Sequence, residues 1–188
     1  LNGFELLMTS YAMAHLKLDM LLAETGYKIE NSNERLQVYL TNSLEEHHPD
    51  TGTLFASWLS AEANEANHIK RDAPVMVVIG NPPYSVSSSN KSDWILNLIA
   101  DYKKNLNFKK INLDDDYIKF IRYGQYFIDK NGEGVLAYIS NNSFIDGITH
   151  SQMRKSLLNS FDDIYILNLN GHVNKNRNSL NSNGDENV

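Results

Sequence analysis

The chain has 188 residues, of which 41% are apolar, and this is enough for one globular domain with a core of its own. Its formal net charge of -6 argues against a broad nucleic-acid surface on the chain itself, because phosphate binding relies on lysine and arginine. Cysteine is absent, and the sequence shows neither a secretory leader nor an apolar run of about twenty residues. We therefore expect a cytoplasmic protein without disulfides or a membrane segment.

Short apolar runs alternate along the chain with longer segments of helical spacing or helix-forming composition. The short runs have the length and the valine, isoleucine and tyrosine content of strands, and they cover residues 3–7, 36–41, 75–80, 134–140 and 164–169. The longer segments predict helices over residues 11–26, 54–72, 114–132 and 151–161. This order predicts an α/β fold on a largely parallel sheet that is covered by helices on both faces.

Polar side chains occur where four of the predicted strands end. They are Glu5, Asn42, Asn81 and Asn141. Ligands of open α/β sheets bind beyond the carboxyl ends of the strands. The sequence therefore predicts a binding site formed by these strand ends.

The segment Asn81-Pro82-Pro83-Tyr84 directly follows the apolar run at 75–80 and suits the binding of a planar amine. The Asn81 side-chain oxygen and the Pro82 carbonyl can accept both hydrogens of an amino group such as that of adenine, which leaves its lone pair directed toward an electrophilic methyl group. Proline holds the carbonyls because its φ angle is fixed. Tyr84 can stack on the base, which is worth roughly 1–3 kcal/mol per base. Positioning of the reactants, worth about 7–11 kcal/mol, supplies most of the catalysis, and no metal is needed.

The tetrapeptide resembles the signature of amino-methyltransferases that use S-adenosylmethionine, above all the N6-adenine DNA methyltransferases. Further blocks resemble, in the same order, the methyltransferase region of type IIG and type ISP restriction-modification enzymes. These blocks cover residues 3–18, 38–46, 77–85, 117–128, 139–147 and 153–171. Six spaced blocks are far more specific than one tetrapeptide, and together they span nearly the whole chain.

The resemblance implies a role for individual residues. Glu5 matches the acidic residue that binds the cofactor ribose, and Asn42 matches a position that contacts the cofactor adenine, where the family more often has an acid. The residues Asn81, Pro82, Pro83 and Tyr84 match the catalytic tetrapeptide, and Phe144 matches a position beside the target base.

The resemblance also implies a Rossmann-like, doubly wound methyltransferase sheet from which the first strand and the glycine-rich loop are missing. We expect residues 1–170 to be part of a catalytic domain and 171–188 to be a flexible loop or a truncated connection. The chain would belong to a larger bacterial polypeptide that binds double-stranded DNA through a separate recognition domain. We expect another segment to fill the gap in the sheet, and we expect the chain alone to bind S-adenosylmethionine weakly or not at all.

Other interpretations of these residues remain open. The proline pair can be a rigid turn, Glu5 a charged strand end and Asn42 a plain loop or helix-cap residue. The aromatic residues at helical spacing, Tyr117, Phe120, Tyr123, Tyr126 and Phe127, are expected in the core rather than against a base. A solvated loop is favoured over a metal site for His47, His48 and Asp50, and a solvated surface over a phosphate contact for Lys103, Lys104, Lys109 and Lys110.

Two other functions also remain open. The same tetrapeptide occurs in methyltransferases for the glutamine of peptide-release factors and for guanine in ribosomal RNA, because all of these acceptors are planar nitrogens. The chain can also be a non-catalytic scaffold that joins the other parts of a restriction-modification enzyme.

Overall fold

The structure is a computed structural model that describes residues 1–27, 36–46, 54–106 and 113–169, with only the backbone described for 54–60. The strands are β1 (Gly3–Glu5), β2 (Val38–Leu40), β3 (Val77–Gly80) and β4 (Val135–Tyr138). The helices are α1 (Met8–Glu24), α2 (Leu54–Asp72), α3 (Asp93–Lys103), α4 (Asp116–Asn131), α5 (Ser143–Asp146) and α6 (Ser151–Ser160), and a 3-10 turn (Ile148–His150) precedes α6. Strands alternate with helices through most of this order, as the sequence predicted.

The strands form two small parallel sheets. In the first, β1 pairs with β2, and Glu5 lies opposite Leu40. In the second, β3 pairs with β4, and Gly80 lies opposite Tyr138. Within the described ranges no ladder of hydrogen bonds joins the two sheets. The prediction of a mixed α/β protein with parallel pairing is therefore confirmed, whereas the described strands do not form one continuous sheet.

The prediction of a fifth strand at residues 164–169 is wrong. These residues belong to no strand, and Tyr165 and Leu167 are 91% and 86% exposed. An apolar run becomes a strand only where a neighbouring backbone accepts its hydrogen bonds and another layer covers its side chains. The described part of the chain pairs no strand with this segment.

Helix α3 was missed in the sequence. Asp93 lies in its first turn, and Ile95, Ile99 and Tyr102 are its buried residues. Their spacing places all three on one face of a helix, so the periodic signal is present. The polar run at 85–92 obscured it because that composition is typical of a loop.

Helix α4 is the centre of the core. One apolar cluster contains Ile99, Tyr102, Leu113, Tyr117, Ile118, Ile121, Met153 and Leu157. A second contains Leu44, Ile95, Tyr123 and Phe127, with Phe120 and Tyr126 packed against it. The prediction that the aromatic residues of this helix pack in the core is thus confirmed.

Two apolar surfaces are not covered by the described residues. Helix α1 has no buried residue, and Leu16 and Met20 on it are more than half exposed. In β3, Val77 and Ile79 are 61% and 76% exposed, so only one face of the second sheet is packed. Among the helices described, none is long and apolar enough to span a bilayer.

Candidate functional site

The proline-containing tetrapeptide begins where β3 ends. The Gly80 carbonyl accepts a hydrogen bond from the Ile139 backbone N–H at 3.1 Å, so strand pairing continues up to the residue before Asn81. The Asn81 side chain is exposed, and no hydrogen bond joins its carboxamide to the described part of the chain. Pro82 is buried, whereas Tyr84 is 54% exposed. The carboxamide is therefore not consumed by local backbone contacts and is available to a ligand.

The ring of Tyr84 is supported from one side by Tyr117. The two ring centroids lie 6.3 Å apart at an interplanar angle of 67°, an edge-on contact of the kind that aromatic pairs prefer. Tyr117 is itself buried, and its hydroxyl lies 3.3 Å from Nε2 of His150. More than half of Tyr84 nevertheless remains exposed.

The protonation of this pair follows from its burial. Burial raises the pKa of Tyr117, with a smaller contribution from the Asp115 carboxylate, so the phenol keeps its proton. Burial lowers the pKa of His150, and the Arg154 guanidinium lowers it further against the opposing effect of Asp115 and Asp146. In the neutral tautomer that carries its hydrogen on Nδ1, Nε2 of His150 accepts a hydrogen bond from the Tyr117 hydroxyl, and this bond restrains the phenol ring that contacts Tyr84.

The backbone after Tyr84 is attached to the first turn of α4. The Ser85 N–H donates to the Asp115 carboxylate at 3.0 Å, and the Ser85 carbonyl accepts from the Asp116 N–H at 3.2 Å. The same Asp115 side chain caps α4 by accepting from the Tyr117 N–H. One carboxylate therefore joins the segment after the tetrapeptide to α4, which has the most buried residues among the described helices.

Glu5 is the last residue of β1. Its Oε1 accepts a hydrogen bond from the Leu7 N–H at 2.8 Å, just before α1 begins. Its backbone carbonyl accepts from Thr41, which precedes Asn42, at 2.9 Å. No hydrogen bond between described residues links Glu5 to the tetrapeptide. Oε2 of this carboxylate therefore accepts no hydrogen bond from the described residues, and Glu5 and Asn81 end strands of two different sheets.

Asn42 lies two residues beyond β2, and its carboxamide is engaged at both ends. Oδ1 accepts from the Leu44 N–H at 3.0 Å, and Nδ2 donates to Oδ1 of Asn90 at 2.7 Å. Its backbone carbonyl accepts a hydrogen bond from the Lys70 ammonium at 2.9 Å. The first contact is the turn geometry of an ordinary loop asparagine, and the second joins Asn42 to the segment that follows the tetrapeptide.

Phe144 lies in α5 and is half-buried against the apolar cluster that includes Tyr117. Its backbone carbonyl accepts from the Arg154 guanidinium at 2.8 Å. Asn141 accepts hydrogen bonds from both the backbone and the side chain of Ser143 at the start of α5. Phe144 and Tyr84 thus both lie beside the Tyr117 cluster, and Asn141 has a capping role.

The remaining residues singled out by sequence give no further site. His47, His48 and Asp50 lie outside the described residues, as do Lys109 and Lys110. Lys104 forms an ion pair with Asp101 at 2.6 Å on the surface. Within the described ranges, no group of three or more metal-binding side chains comes together.

Sequence reasoning missed the residues that support the tetrapeptide. Tyr117 was predicted only as a core residue, and Asp115 only as part of the predicted helix at 114–132. Nothing in the sequence singled out His150. Its contact with Tyr117 joins residues 33 positions apart, which local patterns do not reveal.

The chain is thus a mixed α/β protein whose polar side chains lie at the carboxyl ends of parallel strands, the place where α/β proteins bind their ligands. The family model of the Eco57I restriction-modification methylase matches residues 2–174, so the chain belongs to that family. The resemblance to restriction-modification enzymes is thereby confirmed. No curated protein matches the chain.

Three solved structures have a similar fold. The chain is 28% identical to the protein in "cryoEM structure DrdV-DNA complex" with a TM-score of 0.66, over 86% of this chain and 16% of that one. It is 28% identical to the ATP-dependent Type ISP restriction-modification enzyme LlaBIII bound to DNA with a TM-score of 0.70, over 90% and 12%. A nuclease-deletion mutant of the Type ISP enzyme LlaGI in complex with a DNA substrate mimic gives 24% identity and a TM-score of 0.65, over 85% and 15%, which shows the fold alone. The chain therefore corresponds to a small part of each of these larger proteins.

Proposed function

We propose that this chain is the methyltransferase part of a restriction-modification enzyme and that it methylates N6 of adenine in DNA. The observation that carries the proposal is the Asn81 carboxamide, which is exposed, free of local hydrogen bonds and located at the carboxyl end of β3. Membership of the restriction-modification methylase family supports it. The DNA-bound state of similar solved proteins is further support.

The tetrapeptide would act by binding and orienting the amino group of the base. Asn81 Oδ1 and the Pro82 carbonyl would accept the two N6 hydrogens, and Pro83 would hold those oxygens because its ring restricts the backbone. The Tyr84 ring, which is more than half exposed, would stack on the adenine, and its edge-on contact with Tyr117 would hold it in place. Stacking of roughly 1–3 kcal/mol would offset much of the few kcal/mol needed to flip a base out of the duplex.

The strand ends fit part of an S-adenosylmethionine site. The free Oε2 of Glu5 suits a ribose hydroxyl. Asn42 keeps one N–H for the cofactor adenine, since its Oδ1 and its other N–H are engaged in local bonds. When bound, S-adenosylmethionine would supply the electrophilic methyl group, and the residues of this chain would orient the nucleophile toward it. Phe144 would lie at the side of the target base.

We also propose that the two small sheets are halves of one Rossmann-like, doubly wound sheet. A strand from another segment would lie between β1 and β3, and residues 1–170 would then be part of one catalytic domain, with 171–188 as a connection. The exposed apolar side chains of β3 and α1 support this arrangement, because such surfaces are normally covered. A structure of the longer polypeptide with no strand in that gap would contradict it.

Two partners would complete the function. Double-stranded DNA would be bound mainly by a recognition domain outside this chain, in agreement with the net charge of -6. The cofactor site would be completed by the remainder of the polypeptide, so calorimetry on this chain alone should detect weak binding of S-adenosylmethionine or none. An affinity equal to that of the intact enzyme would contradict this part of the proposal.

The test of the proposed function is transfer of tritiated methyl groups by the intact polypeptide to unmethylated DNA, peptide-release factor and ribosomal RNA. We expect labelled N6-methyladenine in DNA only. Asn81→Ala should lower transfer at least about 100-fold, the scale of losing one preorganised polar contact in an active site. Asn97→Ala, at an exposed position of α3, is the matched control and should retain the wild-type rate.

The other candidate functions give different results in the same assay. Label in the release factor or in ribosomal RNA would identify a different planar nitrogen as the acceptor. No transfer by the wild-type protein, together with unchanged restriction in Asn81→Ala, would identify the chain as a scaffold.

A further inference from the structure

Lys119 is a fully buried cation near the first turn of α4. Its side chain is 0% exposed and pairs with the Asp114 carboxylate at 2.8 Å. Its ammonium also donates to Oγ of Ser88 at 2.9 Å and to the Asn90 carbonyl at 2.5 Å. All three hydrogens of the ammonium therefore have acceptors, as a buried charge requires.

Two of these three acceptors lie in the segment that follows the tetrapeptide, and a buried carboxylate holds the same two residues. Oδ1 of Asp116 accepts from Oγ of Ser88 at 2.5 Å and from Nδ2 of Asn90 at 2.8 Å. Ser88 is 1% exposed and accepts in turn from the Asn90 N–H at 3.0 Å. Lys119 and Asp116 thus hold Ser88 and Asn90 between two opposite charges.

Core packing alone does not explain this arrangement. An apolar side chain at position 119 would fill the space without the desolvation cost of a buried ammonium, and buried ion pairs are weak contributors to stability. Their best-supported use is to select one geometry among several. Here the geometry selected is that of a polar loop, which contains three serines between Val86 and Asn90 and has little apolar surface of its own.

The network also reaches the end of β2. Oδ1 of Asn90 accepts from Nδ2 of Asn42, so the loop after the tetrapeptide and the end of β2 share a hydrogen bond. Lys70 holds the Asn42 carbonyl from the other side. A single chain of contacts therefore runs from Lys119 through Asn90 to Asn42.

We infer that Lys119 is a positioning residue for methyl transfer, which fixes the loop after Tyr84 and, through Asn90, the side chain of Asn42. The inference rests on the proposed function for its consequence in catalysis. Its structural part, the fixing of the loop, is independent of that function. Because Lys119 is fully buried, it would act only through the loop.

The first measurement is hydrogen exchange by mass spectrometry on the intact polypeptide, without DNA. Lys119→Met keeps a stem of similar length but removes the charge and the three donors. We expect the amides of residues 85–91 to exchange at least tenfold faster, with no change at 120–128 in the middle of α4. Lys119→Arg keeps a cation and should restore part of the protection. Lys104→Met removes an exposed lysine and should change neither segment.

The second measurement is single-turnover methyl transfer to DNA by the same variants. Lys119→Met should lower the rate at saturating cofactor at least tenfold, and Lys119→Arg should recover part of it. Asn90→Ala leaves the backbone acceptor of Lys119 in place but removes the contacts to Asp116 and Asn42, so it should raise the KM for S-adenosylmethionine more than it lowers the rate. If the substitution only weakened core packing, fewer molecules would be folded and active, and the KM for S-adenosylmethionine of the remaining active molecules would not change.

Each outcome decides the inference. Unchanged exchange at 85–91 in Lys119→Met overturns it, as does faster exchange without any effect on methyl transfer. If Lys119→Met does not fold, Ser88→Ala decides the matter, because it removes the side-chain acceptor that the loop offers to Lys119; unchanged exchange at 85–91 in this variant would overturn the inference. If the wild-type protein transfers no methyl group, the proposed function fails while the exchange result still confirms or refutes the fixing of the loop.

Discussion

Gly124 allows α4 to approach β4 closely, and its replacement by alanine has a calculable effect. A Cβ atom built at this position would lie 2.5 Å from Cδ1 of Leu136 and 3.2 Å from the Tyr138 hydroxyl. Carbon atoms pack best at about 3.5–4.0 Å, so the helix or the Leu136 side chain must move by about 1 Å. This movement would separate α4 from the strand that pairs with β3.

Two opposing effects set the change in the free energy of unfolding that Gly124→Ala causes. Overpacking of a core usually costs about 1–3 kcal/mol. Alanine in place of glycine inside a helix stabilises it by about 1 kcal/mol. Gly124→Ala should therefore lower the free energy of unfolding by 0 to about 2 kcal/mol. In a Leu136→Ala background the obstructing methyl groups are absent, so the same substitution should raise it by about 1 kcal/mol.

Urea unfolding followed by the fluorescence of Trp94 measures these changes, since its ring lies 5.9 Å from that of Tyr123 and 5.6 Å from that of Tyr126 on α4. A Trp58→Phe background leaves Trp94 as the sole tryptophan. The four variants form a double-mutant cycle with an expected coupling energy of about 1–3 kcal/mol. If Gly124→Ala is equally stabilising in both backgrounds, the close approach of α4 and β4 is refuted.

Three further predictions follow from single contacts. Burial lowers the pKa of Lys70 to about 8, with Glu45 opposing the shift, so as pH rises the native state loses this proton before the unfolded state does. The free energy of unfolding should therefore rise between about pH 8 and 10.5, by at most about 3 kcal/mol. Urea unfolding of the wild type and of Lys70→Met at pH 7 to 10 isolates this rise, and its absence would contradict the burial of Lys70. Gly134→Ala should lower the free energy of unfolding clearly more than Gly132→Ala. Both residues have positive φ angles, but only a Cβ at position 134 would meet the Met76 carbonyl oxygen, at 2.4 Å, so equal losses would contradict this contact. Tyr84→Phe should keep methylation of DNA within about twofold while Tyr84→Ala lowers it by about 5- to 150-fold, equivalent to the loss of one stacked base, and equal losses would contradict stacking.

The sequence predicted the local features of this protein. Short apolar runs located the four strands that lie in the described residues, and the tetrapeptide at 81–84 follows directly from the end of β3. The aromatic band of α4 was assigned to the core from its helical spacing, and the structure buries it. These features depend on residues that are neighbours in the chain, so periodicity and covalent adjacency reveal them.

Only the tertiary structure decided what surrounds the tetrapeptide. Lys119 binds Ser88 across 31 positions and Asp115 binds Ser85 across 30, and neither contact leaves a local pattern in the sequence. The apolar run at 164–169 had the composition of a strand but no described strand pairs with it, so its propensity did not produce one. Strand formation and buried polar networks depend on partners that are distant in sequence, and the free energy of those contacts exists only once the chain has brought the partners together.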